Sequence, residues 1–281
     1  MAGNPDPDEQ ARRRSDYEVE RELAARLEQA PPERRRSLYA EVYRELFLRG
    51  EVLSSADAER RQVPLLLRLL EPFLVGGTRF LEIGAGSCEL SLALADRLPR
   101  VWATDAVEPE WRGRSAQTSF SFVEADRLTD EVPSGGVDLA LSCRYVERLH
   151  PEDLPGHLRD VLRLLAPRGR YVIVTPNRIY GPHDASRGFS ERASGLHLRE
   201  YTHGSLTREL RRAGFRDVRT ITSDGETSAT TMLAIITIVE WLIDAVPDRW
   251  RRAILARAPR QAPYRPLEQV KLVATKVPIG G

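Results

Sequence analysis

The sequence has little lysine, little cysteine and no excess of charge of either sign. Only two of its 42 basic residues are lysines, a bias toward arginine to which we give no functional weight. With 41 acidic residues the net charge is +1, so no overall field draws the chain to nucleic acid or to acidic lipid. The two cysteines, Cys88 and Cys143, are too few for a disulfide framework or a cysteine-ligated zinc site.

Long apolar runs are also missing. The most apolar stretch lies in residues 229–258, but Glu240 and Asp244 interrupt it before it could span a bilayer. The N-terminus has no resemblance to a signal peptide. Since 281 residues are enough for one full core, these absences predict a cytoplasmic enzyme or binding protein.

Composition and periodicity divide the chain into three parts. Residues 1–15 are rich in Pro, Asp, Glu and Arg without apolar periodicity, which predicts a disordered tail. Residues 16–75 have helical spacing and predict an N-terminal cap, with the run Arg34–Arg36 as a solvated helix start. Residues 76–281 form the main domain, in which 229–258 is predicted as a helical insert before the last strand.

From residue 79 onward, short apolar runs alternate with amphipathic segments, a pattern typical of an α/β fold. Helix-length segments separate the first five runs, which favours parallel strands joined by crossovers. The seven predicted strands are 79–83, 101–104, 120–123, 137–142, 171–175, 218–222 and 270–275.

The most informative segment is the apolar run that ends in Glu82 and continues into Gly84 and Gly86. Glycines at the carboxyl end of a strand allow a tight turn and a close approach of the backbone to a ligand. The third glycine of a dinucleotide fingerprint is absent, because Glu89 occupies its position. The turn therefore indicates a nucleotide-type ligand other than NAD or FAD.

Acidic residues end the next two predicted strands. Asp105 follows the glycines by about 20 positions, where a carboxylate can accept both ribose hydroxyls. Asp126 lies one strand further on, where a carboxylate can accept from an adenine amino group. With Glu82, three acids at three successive strand ends predict a nucleoside site.

These residues resemble the motifs of class I S-adenosylmethionine-dependent methyltransferases, over about residues 79–215. The resemblance implies a Rossmann-like seven-stranded sheet of order 3-2-1-4-5-7-6 and S-adenosylmethionine as cofactor. Many members have a third glycine where this chain has Cys88. The implied cofactor-binding residues are Glu82, Gly84, Ala85, Gly86, Asp105, Asp126, Arg127 and Ser142.

Two later segments, 175–187 and 195–202, resemble a bacterial subgroup with Gly-Pro-His-Asp-x-Ser and His-Leu-x-Glu-Tyr-Thr sequences. A histidine beside a carboxylate can remove a proton from a hydroxyl acceptor, which makes His183 and His197 the catalytic candidates. The alternative is that the His183–Asp184 pair only holds the loop. The predicted acceptor-binding residues are Tyr145, Asn177, Asp184 and Tyr201.

No metal is predicted, because His183, Asp184, His197 and Glu200 lack a tight ligand spacing.

The sequence predicts methyl transfer to a hydroxyl or amine of a small molecule, in natural-product or glycan biosynthesis. Nucleic-acid substrates are disfavoured by the charge balance, whereas a protein substrate and a degenerate cofactor-binding scaffold stay open. The insert 229–258 is expected to cover the acceptor pocket or to form a homodimer contact.

Overall fold

A computed structural model describes residues 6–49, 53–107, 118–247, 250–251 and 268–277. The helices are α1 Pro7–Gln29, α2 Pro32–Leu48, α3 Leu53–Leu70, α4 Glu89–Ala95, α5 Leu128–Glu131, α6 Leu154–Leu164, α7 His203–Ala213 and α8 Thr230–Asp244. The strands are β1 Arg79–Ile83, β2 Arg100–Asp105, β3 Phe120–Glu124, β4 Val137–Cys143, β5 Leu165–Pro176, β6 Asp217–Thr220 and β7 Gln269–Thr275.

All seven strands join one sheet in the order β3-β2-β1-β4-β5-β7-β6, so the predicted fold is confirmed. Neighbouring strands from β3 through β5 pair in parallel, and β7 is antiparallel to both β5 and β6. Because the carboxyl ends of parallel strands meet at one edge, the segments that follow β1, β2, β3, β4 and β5 lie close together.

The sheet is covered on both faces, which explains why its strands are nearly continuous apolar runs. Side chains alternate across β5: Tyr171 and Ile173 belong to the core on one face, and Val172 and Val174 to the core on the other. All four are almost completely buried.

The N-terminal helix begins earlier than expected. Helix α1 starts at Pro7, so the predicted disordered tail of residues 1–15 is wrong from that residue onward; residues 1–5 lie outside the described ranges. The reason is visible in the sequence, since the Asp6 side chain accepts from Asp8 N and Pro7 takes the first helical position. Acidic residues in the first turn also favour the helix dipole.

The cap is fastened to the main domain by a buried arginine. Arg35 is 2% exposed and donates from Nε and Nη2 to the two carboxylate oxygens of Asp153, each at 3.0 Å. Tyr39 donates to the same carboxylate at 2.9 Å. The prediction of a solvated Arg34–Arg36 helix start is therefore wrong for Arg35, whose partner lies more than 100 positions away in sequence.

Helix α8 represents the predicted insert, and it packs against α7 and β6. Its inward side buries Leu233 and Glu240, whereas its outward side exposes large apolar residues. Those exposed residues are Met232, Ile235, Ile238, Trp241 and Leu242. Most of the second helix predicted for the insert lies outside the described residues. Within the described ranges, no helix has the length and apolarity needed to cross a membrane.

Candidate active site

The turn after β1 is folded around its glycines. Gly84 and Gly86 have φ values of +72° and +49°, in the left-handed region that favours glycine. The N–H groups of Gly84 and Ala85 donate to the carbonyl of Thr104 on β2 at 2.8 and 3.1 Å. A β-carbon on Gly84 would lie 2.5 Å from Cδ2 of Tyr145, so no side chain fits there. The turn therefore brings bare backbone to the edge of the sheet.

Asp105 closes this turn from the end of β2. Its Oδ2 accepts from Gly86 N at 2.8 Å and its Oδ1 accepts from Ala106 N at 2.6 Å. Burial raises the pKa of Asp105, and these N–H groups oppose that effect. Each oxygen retains a second acceptor position, so the oriented carboxylate can accept from the hydroxyls of a ribose.

Glu82 faces α4 beneath the turn. Its Oε2 accepts from Ser91 N at 3.1 Å and from Ser91 Oγ at 2.5 Å, and the side chain is 7% exposed. The carboxylate therefore ties β1 to the helix that follows the turn.

Asp126 and Arg127 lie exposed beyond the end of β3. The β3 end adjoins the β2 end through Ala125 N, which donates to the carbonyl of Asp105 at 3.2 Å. Arg127 pairs with Glu131 at 3.0 Å. The fold thus brings both residues to the edge where Asp105 lies.

Ser142 is placed differently from the expectation. Its hydroxyl is buried and hydrogen-bonded to the hydroxyl of Tyr171 at 2.8 Å, and His157 Nε2 lies 3.2 Å from the same oxygen. Burial lowers the pKa of His157 to about 4, so its ring is neutral near pH 7. The Ser142 side chain is occupied within the core instead of facing the turn.

Tyr145 lies between the glycine turn and the buried Ser142–Tyr171–His157 group. Its ring packs on Gly84 and lies 5.2 Å from the ring of His157. Burial raises the pKa of Tyr145 well above its ordinary value, so the phenol is neutral. The predicted acceptor-side residue is therefore next to the predicted cofactor turn.

The β5–α7 loop, residues 177–202, is held by buried carboxylates. Oε1 of Glu200 accepts from His183 N at 2.7 Å and is 3.0 Å from His197 Nδ1. His197 Nε2 lies 4.0 Å from Oε1 of Glu147, whose other oxygen accepts from Thr175. Both carboxylates are almost fully buried. One acid thus connects the two predicted catalytic histidines.

His183 has a defined orientation. Its Nε2 is 3.0 Å from the carbonyl oxygen of Asn177, and a carbonyl only accepts, so Nε2 carries the proton. In the neutral ring the lone pair is therefore on Nδ1. Among the described residues, Nδ1 has no hydrogen-bond partner.

Asp184 does not pair with the His183 ring. Its Oδ2 accepts from Gly195 N at 2.8 Å, and its Oδ1 accepts from Ser186 N at 3.1 Å and Ser186 Oγ at 2.5 Å. The adjacent carboxylate is thus directed at its own loop, and the predicted acceptor-binding role of Asp184 stays a prediction. Asp184 folds the loop, which is the alternative that the sequence left open.

Asn177 and Tyr201 lie deeper than expected for acceptor-binding residues. Both are fully buried. Asn177 Nδ2 donates to Glu240 of α8 at 2.8 Å, and its Oδ1 accepts from Ile179 N. Glu240 also lies 2.7 Å from His203 Nδ1. Asn177 therefore links β5 to the insert. Glu240 is a buried acid with two polar partners, a role that the apolar residues around it in the sequence did not indicate.

A cavity of about 300 Å³ opens between α1, the segment after β4 and the β5–α7 loop. No described residue of α8 lines this cavity, and the predicted lid role of the insert stays a prediction. Its lining residues are Arg12, Asp16, Glu20, Arg144, Arg148, His183, Asp184, Ala185, Leu196 and His197. Within the described part of the chain, no three His, Cys, Asp or Glu side chains are grouped so as to hold a metal ion.

The sheet order, the left-handed glycine turn and the acid at the end of β2 define a class I methyltransferase. The model of a methyltransferase-domain family matches residues 16–220, so the chain belongs to that family. The predicted class, its enzymatic nature and its cofactor, S-adenosylmethionine, are confirmed. No curated protein matches the sequence.

Solved structures with low sequence identity share the fold. A 1,6-didemethyltoxoflavin N1-methyltransferase of Burkholderia thailandensis is 20% identical with a TM-score of 0.56, covering 88% of this chain and 91% of its own. A putative methyltransferase of Haloferax volcanii, in complex with the activator Trm112, is 18% identical with a TM-score of 0.52, covering 83% and 99%. An Archaeoglobus fulgidus methyltransferase is 19% identical with a TM-score of 0.50, covering 77% and 94%.

Proposed function

We propose that this protein transfers a methyl group from S-adenosylmethionine to a hydroxyl, or to an amine, of a small molecule. The observation that carries the proposal is the orientation of His183, whose Nε2 is fixed on a carbonyl and whose Nδ1 is available as a proton acceptor. The ring lines a cavity whose size suits a small acceptor. The Burkholderia thailandensis relative supports the substrate class, since its structure contains 1,6-didemethyltoxoflavin.

The cofactor fits the edge formed by β1 and β2. The Gly84–Gly86 backbone would hold the methionine end, Asp105 would accept from the ribose hydroxyls, and Asp126 with Arg127 would flank the adenine. When bound, S-adenosylmethionine supplies an electrophilic methyl group on a sulfonium centre. Tyr145 is in contact with Gly84 at this edge. The chain's main task is then to align the acceptor and exclude water.

His183 takes the acceptor proton on Nδ1 in this proposal, and Glu200 is a positioning residue. Oε1 of Glu200 contacts both the backbone N–H of His183 and the ring of His197. The positions of the two histidines are therefore coupled through this carboxylate. His197 is 3% exposed, and its Nε2 faces Glu147. Because its two nitrogens are directed at carboxylates, we propose that His197 stabilises the loop and that His183 is the base.

The test compares His183→Ala with His150→Gln, a histidine outside the cavity, once an acceptor has been found by screening phenols and amines with labelled S-adenosylmethionine. We expect His183→Ala to lower kcat about a hundredfold or more and to leave cofactor affinity unchanged. Normal turnover by a folded His183→Ala protein would remove the base assignment. A chain that binds the cofactor but methylates no small molecule would favour a scaffold or a protein substrate.

We further propose natural-product or glycan biosynthesis in the bacterial cytoplasm as the setting, which the subgroup resemblance of the β5–α7 loop supports. Identifying the small molecule that co-purifies with the protein would test the setting directly.

We also propose a homodimer through the exposed face of α8. Its support is the exposure of Ile235, Ile238 and Trp241 at 54%, 57% and 69%.

A further inference from the structure

The cavity contains an arginine that the proposed reaction does not use. Arg148 follows Glu147 in a 3-10 turn, Val146–Arg148, after β4. Its Nε is buried and has no hydrogen-bond partner among the described residues, although the charges of Glu147 and Glu20 and the nearby Tyr43 hydroxyl favour the guanidinium's charged form. A buried donor of a charged group that lacks an acceptor is costly, so this position favours an anionic ligand.

The guanidinium is held without being neutralised. Its Cζ lies over the Tyr43 ring, 5.7 Å from the ring centroid, and an aromatic face attracts a cation while leaving its N–H groups available. The Tyr43 hydroxyl is buried close to the same guanidinium. Burial raises the pKa of Tyr43, so the hydroxyl keeps its proton and remains a donor.

Two of the three acids that line the cavity are occupied by backbone N–H groups. Glu20 Oε2 accepts from Ala185 N at 3.3 Å and from Leu196 N at 3.2 Å, and Asp184 accepts from the N–H groups of its own loop. These carboxylates therefore leave the Nε of Arg148 without an acceptor.

A second guanidinium comes from the same segment. Arg144 has a left-handed φ of +56°, its backbone N–H donates to the carbonyl of Val174, and its side chain lines the cavity. Arg144 and Arg148 therefore both reach the cavity from the segment that follows β4.

We propose that the methyl acceptor carries a carboxylate or phosphate group, which Arg148 binds with support from Arg144 and Tyr43. The inference rests on the proposed function, because it takes the cavity as the acceptor site. A guanidinium presents a planar fork of donors that matches the oxygens of either anion. The anion would anchor one end of the acceptor while His183 meets the reacting hydroxyl or amine.

The experiment titrates benzoate and inorganic phosphate into the protein saturated with S-adenosylhomocysteine, by calorimetry. We expect saturable binding of at least one anion, weakened tenfold or more in Arg148→Gln and unchanged in Arg187→Gln, which changes an exposed arginine of the β5–α7 loop outside the cavity. The tighter of the two probes identifies the anion class. If Arg148→Gln does not fold, Arg148→Lys replaces it, with a loss of threefold or more expected for benzoate.

Absence of saturable binding to the wild-type protein, or equal binding by the Arg148 variant that folds, would overturn the inference. A third outcome would also overturn it: weaker S-adenosylhomocysteine binding in the variant with unchanged affinity for 5′-methylthioadenosine, which lacks the amino-acid carboxylate. Arg148 would then hold the cofactor's carboxylate. Failure of the proposed function is separate, since it would show as absent methyl transfer while anion binding persists.

Discussion

The glycine turn with Asp105 and the β5–α7 loop lie at the same edge of the sheet, yet they are held in different ways. The turn is fixed by the neighbouring strand, because Ile83 pairs with Thr104 and the carbonyl of Thr104 receives two N–H groups of the turn. The loop is fixed by side-chain carboxylates, of which Glu20 comes from a helix 165 positions away. The hydrogen bonds that hold the loop are therefore separate from those that hold the turn.

The largest effect of this difference is expected at Asp105. Asp105→Ala removes the proposed ribose acceptor and the partner of Gly86 N, so S-adenosylhomocysteine affinity should weaken by about 1–3 kcal/mol. The β5–α7 loop should keep its structure, because it does not depend on Asp105. Calorimetry with Asp130→Ala, an exposed acid of α5, as control measures the effect; an unchanged affinity would contradict the ribose assignment.

The same carboxylate gives a pH dependence with a defined sign. Burial raises the pKa of Asp105, so on acidification it takes up a proton at a higher pH than an ordinary aspartate does. The protonated form accepts less well from hydroxyls, and cofactor affinity should fall as the pH drops through that raised value. In Asp105→Asn the dependence should be lost, and a wild-type affinity that stays constant down to pH 4 would contradict this.

A smaller effect is expected at Glu20. Glu20→Ala leaves the N–H groups of Ala185 and Leu196 without their acceptor and should lower the free energy of unfolding by about 1–2 kcal/mol. Turnover should fall with it, while S-adenosylhomocysteine affinity stays at the wild-type value. Urea denaturation and kinetics are compared with Glu22→Ala, an exposed acid on the same helix. If cofactor affinity fell as much as turnover, the two regions would not be independent.

The smallest change in stability is expected on the outer face of α8. Ile235 and Ile238 are more than half exposed, so the double change to aspartate should alter the free energy of unfolding by no more than about 0.5 kcal/mol. If this face forms the proposed homodimer, light scattering should show monomers in the double variant. If the wild type and the double variant had the same mass by light scattering, a dimer through α8 would be excluded. Cofactor affinity should be the same in both proteins.

Local patterns in the chain were enough to predict an α/β sheet, the glycine turn and the position of Asp105, whereas the strand order came from the family resemblance that these motifs carry. A buried strand and a glycine turn depend mainly on residues that are close together in the sequence. A short segment is therefore enough to predict them. The Asp6–Pro7 start of α1 is also a local signal, although the composition of the tail concealed it.

The partners of the buried charges could not be predicted in this way. Arg35 with Asp153, Glu20 with the β5–α7 loop, and Asn177 with Glu240 join residues that are 63 to 176 positions apart. A carboxylate has no local preference among distant donors, and burial alone makes its pairing obligatory. The tertiary structure therefore determined that Asp184 supports the loop, that Glu200 joins the two histidines, and that the Nε of Arg148 is buried without an acceptor.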